Sequence, residues 1–272
     1  MTDNISKLVD IGANLTSNSF HKDLAQVVEQ AIAAGVAQMV VTGTDQRHSE
    51  HAVELCQQWP GVLYSTAGVH PHNAKEWSEQ TAQAIHSLSA QTAVRAIGEC
   101  GLDYNRNFST PAEQRRCFEA QLELAADLTL PVFLHQRDAH DDFLKIVNRW
   151  RDQLVGGVAH CFTGTTDQAR AYLDTDLHIG ITGWLCDERR GQALREAVAH
   201  IPLERIMIET DAPYLLPGNL SPAITETLQP RRNEPRLLPH VCTALALHKE
   251  EEYDQVAQVT TNLAQAFFAI GE

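Results

Sequence analysis

The sequence predicts a single α/β domain over residues 1–272, a (β/α)8 TIM-type barrel with an extra helix at its C-terminal end. Three observations predict it. Strand-like and helix-like stretches alternate along the whole chain, the pattern of repeated βαβ units. The 272 residues divide into eight units of about 34, enough for a strand, a helix and two loops, and one barrel of this kind usually takes ~250 residues. Finally, four short apolar runs each end in a metal-capable side chain: AVRAIGE at Glu99, LPVFLH at His135, GGVAH at His160 and RIMIETD at Asp211. Glu99 to His135 and His135 to His160 each span one strand–helix unit, and His160 to Asp211 spans two. The C-terminal rim of such a barrel is where ligands from different strands meet.

The elements follow in order. LVDIGANL (Leu8–Leu15) reads as the first strand, and a helix over Lys22–Ala34 stops at Gly35. VAQMVVTG is the second strand, followed by a helix over Gln46–Trp59 that Pro60 and Gly61 terminate. Val62–His70 is the third strand, and a helix over Ser78–Ser89 starts on Ser78 as N-cap. The fourth strand, Ala93–Glu99, leads into a long loop, CGLDYNRNFST, and Pro111 opens the next helix, where a missing N–H costs nothing. The fifth strand is Pro131–His135, with a helix over 138–151. The sixth is Val155–His160, with a short helix over 167–173. The seventh is Leu177–Gly183, with a helix over 188–200, and the eighth is Arg205–Asp211. A proline-rich loop, Ala212–Pro235, then reaches two helices over 236–248 and 251–270.

Composition bounds the chemistry. Hydrophobic residues make up 43% and aromatics only 6%, so Ala, Val, Leu and Ile supply the core, as expected of parallel strands covered on both faces. Six cysteines without a CxxC pair argue against a zinc ribbon or a disulfide framework and fit a reducing compartment. Cys100 and Cys161 each follow a proposed ligand, and strand alternation turns them away from it. MTDNISKLVD has neither a basic start nor an apolar core, and no run approaches ~18 apolar residues, so a soluble, cytoplasmic protein without a membrane partner is expected; a monomer is expected as well. The net charge of −14 argues against broad binding to nucleic acid, which normally uses a basic surface.

Carboxylate and imidazole are ordinary donors to Zn²⁺, Mn²⁺ and Mg²⁺. Any one of Glu99, His135 and His160 alone is more often a hydrogen-bonded rim residue; at unit-repeat spacing they point to a shared cation. Asp211 can ligate it or take a proton from water beside it. Glu209 shares the face of Asp211, one layer deeper, and could grip the free nitrogen of a ligating histidine or form a salt bridge to an interior arginine. In GVHPH, either histidine could polarise a substrate or hold a partner behind the ligands, and the plain reading as a surface histidine is preferred for His72 but not for His70. On the first strand Asp10, Gly12 and Asn14 share a face, with Asp10 a further candidate ligand. The rim loops carry Tyr104, Asn105, Arg106, Phe108, Arg137, Phe162, Trp184, Arg189, Arg190, Tyr214, Arg231 and Arg232. Arginines there could grip phosphates and aromatics such as Phe162 could stack on bases, although most exposed arginines are merely solvated; Arg137 is the best candidate for a phosphate clamp. A polyanion entering end-first would avoid most of the acidic surface.

With these residues in place the chain resembles the TatD-type metal-dependent deoxyribonucleases, an amidohydrolase-like branch of the TIM barrels. The resemblance runs nearly end to end: DIGANL from Asp10, GVHPH from Gly68, AIGECGLDY from Ala96, PVFLH from Pro131, AHCFTG from Ala159 and IETDAPYL from Ile208. It implies phosphodiester hydrolysis, as a 3′→5′ exonuclease on single-stranded DNA or RNA. Glu99 would be the bridging carboxylate, His135 and His160 the imidazole ligands, and Asp211 the ligand or general base. Many relatives carry HxH on the first strand where this chain has Gly12 and Asn14. That implies a weaker, oxygen-rich second position, suited to Mg²⁺ or Mn²⁺ rather than a permanent Zn²⁺ pair, with one or two cations in all. Two other readings stay open. One is an ester or amide hydrolase such as an aminoacyl-tRNA deacylase, against which Glu99 stands where many amidohydrolases use a carbamylated lysine. The other is a non-catalytic binding barrel, which would not need Asp211 and both histidines.

Overall fold

The computed structural model describes residues 6–271. Strands β1 (Leu8–Ala13), β2 (Val36–Val41), β3 (Leu63–Ala67), β4 (Val94–Asp103), β5 (Val132–Arg137), β6 (Gly157–Ala159), β7 (His178–Ile181) and β8 (Ile206–Ile208) form one sheet in chain order. The first and last strands meet: Ala13 bridges Ala212 in parallel, the Asn14 amide donates to the Ala212 carbonyl at 2.7 Å, and the Asp211 amide donates to that of Gly12 at 2.8 Å. Between the strands run α1 (Leu24–Ala33), α2 (Gln46–Gln58), α3 (Glu79–Ser89), α4 (Pro111–Leu128), α5 (His140–Trp150), α6 (Thr166–Asp174) and α7 (Gln192–Val198). After β8 come α8 (Pro222–Thr225), α9 (Leu238–Lys249) and α10 (Tyr253–Phe268). This is the (β/α)8 arrangement that the alternating pattern predicts, with the extra C-terminal helix.

The chain divides into two compact units. One holds the chain through Val40 with Cys161–Arg170 and Ile179–Ala266; the other holds Val41–His160, Ala171–His178 and the residues from Phe267 on. In the first, β7 and β8 pair in parallel, Ile179 opposite Ile206 and Ile181 opposite Ile208. There Arg232 grips both oxygens of Asp23 at 2.9 and 2.7 Å, bonds Glu234 at 2.7 Å, and lies over the Phe20 ring. Its guanidinium, read from sequence as a candidate phosphate grip, is a structural tie between the segment after β8 and the start of α1.

The second unit holds β3 to β6, and its decisive feature is β4. That strand runs to Asp103, four residues past the expected end at Glu99. Its register against β5 slips between Ile97, opposite Val132, and Cys100, opposite Leu134, so Glu99 lies in the irregular stretch. Gly98 and Gly101 have φ of 141° and 145°, and a Cβ there would fall 2.2 Å from the Phe133 carbonyl oxygen and 1.9 Å from that of His135. Only glycine allows the strand to pass its neighbour this closely.

Helix α4 holds the tips of two strands through buried amides. Thr110 and Glu113 close a capping box, and Pro111 takes the first helical position as expected. Gln114 accepts from the Asp103 amide at 2.8 Å and donates to the carbonyls of Asp103 and Ser109, each at 2.9 Å. Gln121 accepts from the Val69 amide at 2.7 Å and donates to its carbonyl at 2.9 Å, fixing the residue before His70. Gln121→Leu would leave both groups of Val69 buried without partners. We expect it to lower stability by about 2–3 kcal/mol in urea unfolding; a loss below ~0.5 kcal/mol would show that the amide does not hold this turn.

A candidate metal centre

Four of the sequence-predicted side chains meet in the second unit. Glu99 lies in the slip of β4, His135 is in β5, His160 directly follows β6, and His70 precedes a short 3-10 turn that opens at Pro71. They converge on one atom. Glu99 Oε1 is 2.7 Å from His135 Nδ1, 2.7 Å from His160 Nε2 and 3.3 Å from His70 Nε2. The two ligand-type nitrogens of His135 and His160 are themselves 3.4 Å apart. Packing sets the rings: His160 lies against Phe133 at 4.7 Å and His70 meets His135 edge-on at 4.5 Å.

A second carboxylate completes the cluster. Asp103 Oδ2 is 2.9 Å from His72 Nε2 and 3.6 Å from His135 Nε2. Sequence patterning misses Asp103 because it ends the strand too early. Extended alternation through Glu99, Gly101 and Asp103 is the signal that could have found it. His72, read as a surface histidine, is drawn in with it, against His70 at 4.3 Å.

Electrostatics follow from burial and neighbours. Burial disfavours ionisation of Glu99, yet the charges of His160 and His70 and the hydrogen bonds from His135 and His160 hold its carboxyl well below the usual range. Burial likewise opposes charge on Asp103, and the contacts with His135 and His72 and the Arg106 amide overcome it and hold it low. His135 is raised, because Asp103 and Glu99 outweigh its burial. His70 is lowered to about 4, chiefly by burial. Its Nδ1 accepts the His72 amide at 3.1 Å, so the neutral ring carries its hydrogen on Nε2, facing Glu99.

The donor set fits a divalent cation. Glu99 Oε1, His135 Nδ1 and His160 Nε2 lie within 3.4 Å of one another, and a nitrogen of His70 falls within 4.8 Å of the Glu99 and His135 ligand atoms. Among the described residues His135 Nε2 is buried with no hydrogen-bond partner, Asp103 Oδ2 standing 3.6 Å away. One carboxylate with imidazoles is a donor set for a borderline or hard divalent ion.

The remaining predicted residues are held by contacts of their own. Asp211, after β8 in the first unit, has a left-handed backbone with φ of 54° and receives the Asn14 side-chain amide on Oδ1 at 2.9 Å. Glu209 is fully buried and accepts the Cys161 amide. Asp10 is also fully buried: Oδ1 takes the amides of Gly12 at 3.2 Å and Thr210 at 2.9 Å, and Oδ2 takes the Thr210 hydroxyl. Arg137 is exposed at the end of β5. Phe162 is only 5% exposed and presents no open face for stacking. Trp184, another candidate platform, is covered by Arg190 at 4.2 Å.

A (β/α)8 fold with a buried carboxylate gathering imidazoles in a cation-sized cluster defines a metal-dependent hydrolase. Its relatives specify which kind. The family model for TatD related DNase matches residues 9–269. The 3′-5′ ssDNA/RNA exonuclease TatD of Salmonella typhimurium is 51% identical over 97% of this chain and 99% of its own length. The protein of the same name from Citrobacter rodentium is 52% identical over 97% and 98%. Among solved structures, YJJV, a TatD homologue from Escherichia coli K12, aligns with a TM-score of 0.88 at 25% identity, covering 98% of this chain and all of that one. The chain belongs to the TatD related DNase family.

Burial pushes the Asp10 carboxyl up to about 7 against the Thr210 and Gly12 hydrogen bonds, which lower it. Unfolded, this carboxyl titrates near 3.8. Between these values the unfolded chain loses the proton that the folded chain keeps, so the contribution of this carboxyl is full below pH ~4 and falls by up to about 4 kcal/mol as pH rises to 7, while the lowered His70 acts in the opposite sense over much of that range. In urea unfolding of chelator-treated protein, the stability of the unaltered chain relative to Asp10→Asn should fall across this range; parallel curves for the two proteins would exclude the assignment.

Proposed function

We propose that this protein hydrolyses phosphodiester bonds as a divalent-cation-dependent 3′→5′ exonuclease on single-stranded DNA and RNA. One observation supports it above the others: three imidazoles gather on the single oxygen Glu99 Oε1. The relatives that share about half of its residues over nearly full length carry the exonuclease name, which favours phosphodiesters over aminoacyl esters.

Glu99, His135 and His160 would hold the cation. His70 would serve differently, since its hydrogen-bearing Nε2 suits donation to Glu99 or to a substrate oxygen. Mg²⁺ is our assignment, with Mn²⁺ or Zn²⁺ able to substitute at this mixed donor set. A bound divalent cation supplies Lewis acidity, which lowers the pKa of a water and offsets phosphoryl charge. Asp211 would accept the proton of the attacking water, its carboxylate steadied by Asn14. Arg137, exposed two residues past His135, is suited to hold a phosphate. Local charge answers the overall −14: a groove between α4 and α5 is lined by Arg115, Arg116, Lys145 and Arg149 against only Glu119 and Asp142. Such a protein would act in the cytoplasm.

Oligonucleotides labelled separately at each end, incubated with chelator-stripped enzyme and then Mg²⁺, Mn²⁺ or Zn²⁺, test this reading. The 5′ label should give a descending ladder, the 3′ label should appear at once as mononucleotide, and chelator should abolish both. Internal cuts, release from the 5′ end or inertness with every cation would overturn it. Asp211→Asn should lower kcat by about 10²–10⁴ with the unfolding temperature unchanged; near-normal turnover would remove the proton-acceptor role.

A further inference from the structure

Phe108 stands apart from the other exposed apolar side chains. It is 59% exposed, yet its ring is fixed edge-on to His72 at 4.9 Å and 82°, and His72 is bonded to Asp103 beside His135. The loop that presents it is built from the cluster itself. While Asp103 Oδ2 meets the histidines, Oδ1 accepts the amides of Asn105 and Arg106, each at 2.9 Å. The Asn107 side chain donates to the Tyr104 carbonyl at 2.7 Å, and buried Ser109 bonds the Lys75 amide and the His72 carbonyl, each at 3.0 Å. The capping box of α4 closes the far end. An aromatic ring left largely bare on a loop tied at both ends is held for contact rather than for packing. Exposed Arg106, two residues earlier, supplies a cation at the same loop.

The geometry points to Phe108 as a stacking platform for a nucleobase, the base of the nucleotide whose phosphate lies at the metal cluster. The inference rests on the phosphodiesterase reading and adds how the strand end is held. Histidine edges and the two carboxylates deal with phosphate and protons; none of them offers a planar apolar face. The free face of Phe108 does, beside those groups, and stacking on it favours no one base. It also requires an unpaired base, because a ring at a loop tip cannot enter an intact duplex stack.

The test crosses the side chain with the base. Oligonucleotides ending in a normal or an abasic 3′ nucleotide are compared on the full-length enzyme and on Phe108→Ala, Phe108→Leu and Phe108→Trp. Phe108→Ala should raise KM for the normal end by about five- to a hundredfold, with the abasic end penalised to a similar degree in the unaltered enzyme. The two losses should not add in combination. Phe108→Trp should restore KM, and Phe108→Leu, which keeps bulk without a π face, should not. Additive losses, rescue by leucine or no change in KM would overturn the platform. A 3′-terminal 2-aminopurine read by fluorescence in the Asp211→Asn background separates this inference from the activity itself. Quenching that depends on Phe108 supports stacking even if hydrolysis fails, and hydrolysis without such quenching removes stacking while leaving the nuclease reading intact.

Discussion

Two carboxylates on one strand, Glu99 and Asp103, organise the chemistry of this molecule. Burying an ionised carboxylate costs several kcal/mol unless charge and hydrogen bonds compensate. Here the compensation is a ring of imidazoles. Glu99 draws His70, His135 and His160 to a single oxygen, while Asp103 takes His72 and sits near the outer nitrogen of His135. Each acid is held ionised by the histidines it orients, so the arrangement is mutually dependent. A divalent cation is the natural further partner, since it satisfies a crowded set of donors that cannot all hydrogen-bond to one another.

The scaffold uses unusual features to keep β4 in place. The strand crosses its neighbour on two glycines with positive φ, slips register at Glu99, and then resumes pairing as far as Asp103. Gln114 and Gln121 extend from one face of α4, seven residues apart, and hold the backbone at Asp103 and at Val69. One helix thereby sets the height of both the second carboxylate and the turn that carries His70 and His72. Rigid supports of this sort are what a metal cluster needs to keep its donors at fixed separation.

Charge explains how an acidic protein can handle a polyanion. The negative surface acts at long range and is screened by salt within roughly 10 Å, whereas the cation and arginines proposed for the site would act at contact. The open ring of Phe108 contributes nothing to the field and depends little on salt. A strand end could therefore be held by stacking and local charge while the bulk surface repels side-on approach.

The sequence alone determined the alternation of strands and helices, and with it the barrel. Periodic burial of β-branched and leucine side chains is a local property that parallel strands inherit directly. It also marked Glu99, His135, His160 and Asp211, because a charged or imidazole group at the tip of an apolar run is costly to bury and therefore needs a partner there. Tertiary structure decided what a short window cannot hold. Whether Asp103 belonged to strand or loop depended on β5 pairing beyond Glu99 and on an amide from α4. Whether Phe162 or Phe108 was open depended on what packed over each ring, and Phe162 is buried while Phe108 is bare. His72 and Arg232 depart from their sequence readings in opposite directions for the same reason: a surface-looking residue is assigned by its partners, and those partners, Asp103 and Asp23, lie far away in sequence. Burial patterns are written along the chain, but pairing of charges is settled only when distant segments meet.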